Sequence, residues 1–301
     1  MSRYGGGARP GMKHTLRGTL LLVMLLAFGV SGAVAEPVQE FGVQIKNVTS
    51  DGRFSVVFTS NSFDTTGAPP PGLTEASVRL AKGITIKPEF LKKDRLCQTG
   101  KLRLILLANA SSNLKYQAML GDLAATQKRI GGKLQPASLR ILDTCRKAYV
   151  GRGTFTLDAR PNFPDVIPGF MYVFLSPPSA KGAIGGFGIM SLYDQNAPIV
   201  KNTGLLIDQQ PGATVNLFNQ PSADGKYGYR MRLLPLNFGR LPFSVADVHV
   251  ESRGITAGGK FWAKLPHCPT SGKLQFRADY SYLTGQKTSS VIKVPCPRFT
   301  R

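Results

Sequence analysis

Short stretches in which apolar and polar residues alternate recur along the chain, and they set the expected fold. Phe41, Val43 and Ile45 alternate with Gly42, Gln44 and Lys46, and a Ser50-Asp51-Gly52 turn leads into Arg53–Thr59. Phe155, Leu157 and Ala159 alternate with Thr154, Thr156 and Asp158. Tyr227, Tyr229, Met231 and Leu233 fall on one face, opposite Arg230 and Arg232, directly after an Asp224-Gly225 turn. Ala246, Val248 and Val250 alternate with Asp247, His249 and Glu251. Successive side chains of a strand point to opposite sides, so each stretch reads as a strand with one dry and one wet face, as in antiparallel sheets. Packing the dry faces together predicts a mainly β protein, an antiparallel β-sandwich of Ig-like or jelly-roll-like type.

One region reads differently. Asn113–Arg129 has no β-branched residue except Thr126 and stops at Gly131-Gly132. Pro136–Ala148 has Pro near its first turn and Gly151 beyond its end. Both read as helical, a short insertion over 113–148. Asn162–Pro168 (NFPDVIP) is the best boundary, which gives an N-terminal β-domain over 36–160 and a C-terminal β-domain over 161–301. One split sandwich fits the same pattern.

Residues 1–35 stand apart. Arg3, Arg9, Lys13 and Arg17 precede an unbroken apolar run, Leu20–Val30, and Ala33-Val34-Ala35 ends the segment before Glu36. A basic start, a short apolar stretch and an A-x-A site are the marks of a secretory signal peptide, and the run is well short of the ~20 residues a bilayer span needs. Met12 would serve as a start as well as Met1. No later stretch reads as a membrane span, so the expected location is secreted or cell-envelope. Removing the four leader cations lowers the formal net charge from +21 to +17. Such a surface attracts anionic polymers.

Four cysteines, Cys97, Cys145, Cys268 and Cys296, lie beyond the leader, and an even number in an exported chain implies disulfides. Of the three connectivities, Cys97–Cys145 and Cys268–Cys296 is chosen on geometry at the second pair. Lys273–Ser281 and Lys287–Val294 read as strands joined through a Thr284-Gly285 turn, so Cys268 and Cys296 flank the open end of one hairpin. Zinc would need thiolates at C-x-x-C spacing or nearby histidines, and neither occurs. The sequences around the cysteines also carry a resemblance: LCQTGKL (96–102), TCRKAYVGRG (144–153), HCPTSGKLQFRADYSYLTGQ (267–286) and VPCP (294–297) resemble a group of uncharacterised exported bacterial β-rich proteins with two cysteine pairs. That resemblance implies a secreted β-fold with paired cysteines and carries no catalytic residue across.

Candidate chemistry is sparse. Asp247, His249 and Glu251 share one face of a strand and would place a metal or a general base there, or simply form its solvent side. Gly151-Arg152-Gly153 and Gly182–Gly188 continue into neither phosphate-binding motif and read as a helix stop and a sheet bend, so no cofactor is expected. Lys260, Trp262 and Lys264 share a strand face opposite Phe261, Ala263 and Leu265. The single Trp would be a stacking platform for a sugar or base, or would pack on a neighbouring loop. Dispersed cations and missing RNP or zinc-finger patterns argue against sequence-specific nucleic-acid binding. The expectation is a secreted non-enzymatic binding or structural protein whose partner is an anionic polymer or polysaccharide. The alternative is a secreted hydrolase of polysaccharide or ester, which requires a cleft gathering Asp247, His249 or Glu251 with a second carboxylate.

Overall fold

Ten antiparallel steps carry the chain around one sheet. The computed structural model describes residues 36–66, 68, 71–87, 96–97, 105–107, 145–158, 166–194, 213–233 and 244–299. Its strands are β1 (Pro37–Lys46), β2 (Ser55–Asp64), β3 (Leu73–Ala81), β4 (Thr85–Ile86), β5 (Ile105–Leu107), β6 (Tyr149–Asp158) and β7 (Val166–Ser176). They continue as β8 (Gly185–Asp194), β9 (Ala213–Asn219), β10 (Tyr227–Leu233), β11 (Ser244–Arg253), β12 (Ala263–Lys264), β13 (Lys273–Tyr282) and β14 (Lys287–Pro295). The sheet order is β1-β2-β11-β6-β7-β8-β9-β10-β3-β13-β14, and β5 pairs with β8 in parallel, off this path.

Every neighbouring pair along the path is antiparallel. Eleven strands joined this way leave β1 and β14 running in the same direction. The two lie alongside each other, yet no strand pairing joins them among the described residues. The right-handed twist of the strands curls the sheet until its ends meet, giving a nearly closed barrel with one seam between parallel edges.

In place of two packed sheets the strands form one large, nearly closed sheet. Strands from both sides of residue 161 interleave: β2 pairs with β11, and β3 pairs with β10 and β13. The dry faces are the predicted ones, with Val248 and Val250 opposite Phe155 and Gly153, and Met231 opposite Val78. They face a shared interior instead of a second sheet. On β13 the alternation is complete, with Leu274, Phe276, Ala278, Tyr280 and Tyr282 buried and their neighbours outside. A fully buried side chain of this size contributes about 1.5–3 kcal/mol.

The predicted helical insertion lies outside the described residues except at its end, where Arg146–Ala148 form a single 3-10 turn. Gly151 and Gly153, expected to stop a helix, instead lie within β6 and face the interior. A Cβ on Gly153 would stand 2.2 Å from the His249 carbonyl oxygen, so the close approach of β6 to β11 requires glycine there. From Met171 to Ser176, β7 is buried on both faces. Met171 and Val173 look inward, while Tyr172 and Phe174 pack edge-on against Tyr149 outside.

One end of the barrel is closed by the chain between β11 and β13. Gly254 N donates to Phe54 O and Leu265 N to Gly52 O, both at 3.0 Å. β12 pairs with β4. Both disulfides lie at this end, in the expected connectivity. Cys268–Cys296 joins the open end of the β13–β14 hairpin with 5.8 Å between Cα atoms, and Cys97–Cys145 sits beside β7, where Cys97 N donates to Leu175 O. Such pairs belong to an oxidising, extracellular type of environment. Among the described residues no helix is long and apolar enough to cross a membrane.

Candidate functional site

Inward-facing side chains of nearly every strand leave a cavity of about 260 Å³ inside the barrel. It runs from Phe54, Ile84 and Trp262 at the capped end to Leu73, Leu157 and Leu233 toward the other. Among the described residues no charged side chain lines it, and its polar members are Gln39, Thr59, Ser60, Ser77, Ser252 and Tyr280. Gly169, on an inward position, supplies no side chain and leaves room for a neighbour's ring. The Phe155 ring lies over Gly169 and fills part of that space.

Trp262 is the stopper of this cavity. It is 5% exposed, its ring meets Phe187 edge-to-face at a centroid distance of 5.0 Å, and its Nε1–H donates to Arg253 O at 2.6 Å. Of the two readings open for Trp262, a stacking platform or packing on its neighbours, the buried ring fits the second, while Lys260 beside it is exposed. Only Ala263 and Lys264 pair as a strand, and the preceding Ala257–Gly259 segment turns tightly, with Gly259 at φ +75°. Lys260 is exposed, and Lys264 places its Nζ 4.3 Å from the centre of the Phe261 ring. Alternation over residues 260–265 therefore came from a tucked loop, not from a strand.

Gln39, Ser60 and Tyr280 gather at the opposite end, beside the seam. Gln39 Nε2 donates to Ser60 Oγ at 2.6 Å and to Asn61 O at 3.1 Å. Ser60 Oγ and the Tyr280 hydroxyl share a hydrogen bond of 3.1 Å, and the Tyr282 hydroxyl donates to Gln39 Oε1 at 2.9 Å. These contacts link β2, β1 and β13 across the stretch where the ladder is open. Burial pushes the Tyr280 phenol up to about 12, so it remains a neutral hydroxyl through the physiological range. Sequence reading missed this cluster; its signal was the Tyr280-Ser281-Tyr282 end of β13, where an otherwise apolar face acquires hydroxyls.

Asp247, His249 and Glu251 do share the outer face of β11. Their cross-strand neighbours are Asn61, Thr59 and Val57 on β2 and Thr156, Thr154 and Arg152 on β6, so no second carboxylate stands directly opposite. Among the described residues no group of three or more His, Cys, Asp or Glu is arranged to hold a metal. The concentrated basic charge lies elsewhere. Arg277, Arg79 and Arg230 form one cross-strand row on β13, β3 and β10. Arg232 grips Glu75 with two bonds of 2.7 Å, and this contact holds the Glu75 carboxyl below its ordinary value. Arg277 holds Asp279 at 2.7 Å. Four arginines against two acids leave this face with an excess of two positive charges.

No protein-family model, curated protein or solved structure matches this chain.

Proposed function

We propose that this is an exported, non-enzymatic binding protein that holds a small apolar molecule inside its barrel. The observation that carries the reading is the interior cavity, apolar along its walls, lined by no charged group among the described residues and stopped at one end by Trp262. Barrels of comparable strand number that are not filled by side chains enclose ligands, and small-molecule sites are typically concave and apolar with a few placed polar groups. Export rests on the leader-like residues 1–35 and agrees with the two disulfides. Asp247, His249 and Glu251 have no second carboxylate directly opposite them on β2 or β6, which counts against the hydrolase alternative.

The test uses octane and the intrinsic emission of Trp262, the single Trp of the chain. Saturable octane-dependent change is expected in the native protein and is lost in Val250→Phe, whose ring is accommodated above Gly153 and fills the hollow. A linear, unsaturable response common to both proteins overturns the reading.

A second reading has its own observation, the Arg277–Arg79–Arg230 row. Like charges directly opposite each other are unfavourable on a sheet unless something anionic covers them. Glu75 and Asp279 supply part of that cover, and an anionic polysaccharide supplies the rest. Retention on such a polymer at physiological salt, reduced by Arg79→Gln with Arg230→Gln, supports this partner. Retention that fades evenly with salt and ignores both substitutions reflects net charge alone.

A further inference from the structure

The seam cluster says what kind of molecule the cavity takes. Resting on the cavity reading above, we infer that the ligand is an uncharged molecule of roughly ten heavy atoms, with an apolar body toward Trp262 and a hydrogen-bond-accepting oxygen against the Ser60–Tyr280 pair. The size follows from scale: a cavity of about 150 Å³ holds benzene, and this one measures about 260 Å³.

The chemistry of the oxygen follows from counting protons. Gln39 Nε2 spends its two protons on Ser60 Oγ and Asn61 O. Ser60 and Tyr280 carry one hydroxyl proton each and use one of the two between them, whichever atom donates. The other proton has no acceptor among the described residues, and both hydroxyls border the cavity. A part-buried donor left in this state is stabilised by an acceptor brought in with the ligand, such as a ketone, ester, ether or alcohol oxygen.

The charge of the ligand follows from what the walls lack. Among the described residues no lysine, arginine, histidine or carboxylate lines the cavity, so a carboxylate or ammonium head would lose its hydration with no counter-charge from them in return. Tyr280, neutral to about 12, offers a hydroxyl and not a phenolate to the incoming group.

The experiment compares octane, 2-octanone and octanoate by Trp262 emission in the native protein and, on a Gln39→Leu background that withdraws the amide proton Ser60 Oγ otherwise accepts, in Ser60→Ala, Tyr280→Phe and the double variant. Octanoate is expected to bind on the order of 30-fold more weakly than 2-octanone. Each single variant still leaves one hydroxyl proton free, so the affinity ratio of 2-octanone to octane stays near the native value. The double variant removes both protons, and that ratio falls about tenfold while octane binding persists. This all-or-none pattern distinguishes a donor from a merely structural pair, which loses octane and ketone alike. A ratio unchanged in the double variant, or octanoate binding as tightly as the ketone, overturns the inference while leaving the cavity reading in place. Failure of both octane and 2-octanone to bind the native protein overturns the cavity reading itself, and this inference with it.

Discussion

Replacing Trp262 separates an interior stopper from a surface platform by energy alone. The side chain is almost wholly buried, stacks edge-to-face on Phe187 and satisfies the Arg253 carbonyl. Truncating a buried Trp to Ala costs about 3–5 kcal/mol through lost transfer energy and the space left behind. The lost hydrogen bond is worth about 1 kcal/mol. Because the indole borders an existing hollow, the wall collapses poorly around the gap, and we expect Trp262→Ala near the upper end, about 4–5 kcal/mol. Trp262→Phe keeps a ring against Phe187 and leaves the Arg253 carbonyl without its indole partner, so about 1–2 kcal/mol is expected. Urea unfolding followed by far-ultraviolet circular dichroism measures both, since the variants remove the fluorophore. A loss below about 0.5 kcal/mol for Trp262→Ala is the signature of an exposed residue and refutes the interior position.

Three further outcomes follow from the geometry. Gly153→Ala puts a Cβ 2.2 Å from the His249 carbonyl oxygen, a backbone atom that cannot rotate away, and is expected to cost about 2–4 kcal/mol in urea unfolding; a neutral substitution contradicts the close β6–β11 approach. Removing the Cys268–Cys296 bond as a paired serine variant frees a loop with a sequence separation of 28 and should cost about 3.5 kcal/mol. No change in unfolding midpoint contradicts a stabilising role for that bond. Tyr280, raised to about 12 by burial, binds its proton more tightly folded than unfolded. Its contribution is therefore fully present below about pH 10 and is lost as pH rises from 10 to 12. Near-ultraviolet absorbance should show one tyrosine ionising last, absent in Tyr280→Phe; ionisation of all tyrosines near 10 contradicts the burial.

Much of the strand content was legible because period-two alternation is a local property. The bounds of β10 at Tyr227–Leu233, the β13–β14 hairpin with its Gly285 turn, and the cystine across its open end could all be read from neighbouring residues. What covers each dry face is not local. Val248 must face apolar neighbours in a sandwich and in a barrel alike, and only the pairing of β11 with β2 and β6 decides between them. The same limit explains Trp262. Its alternation with Lys260 and Lys264 imitates a strand, while its burial is set by Gly254 and Phe187, distant in the chain or turned by glycines. Gln39 and Ser60 carried no signal at all, since a polar residue inside a strand looks the same whether it meets water or another hydroxyl.

The proposed binding function requires an apolar hollow inside the barrel, and xenon reports that directly. Apolar cavities of this size take up xenon, while a packed core or a polar, hydrated one does not. Crystals of the protein under xenon pressure are predicted to show bound xenon inside the barrel, among Val173, Phe187 and Val250, and none there in Val250→Phe. Xenon absent from the interior, with side chains filling the space between Trp262 and Tyr280, would contradict the binding function proposed for this fold.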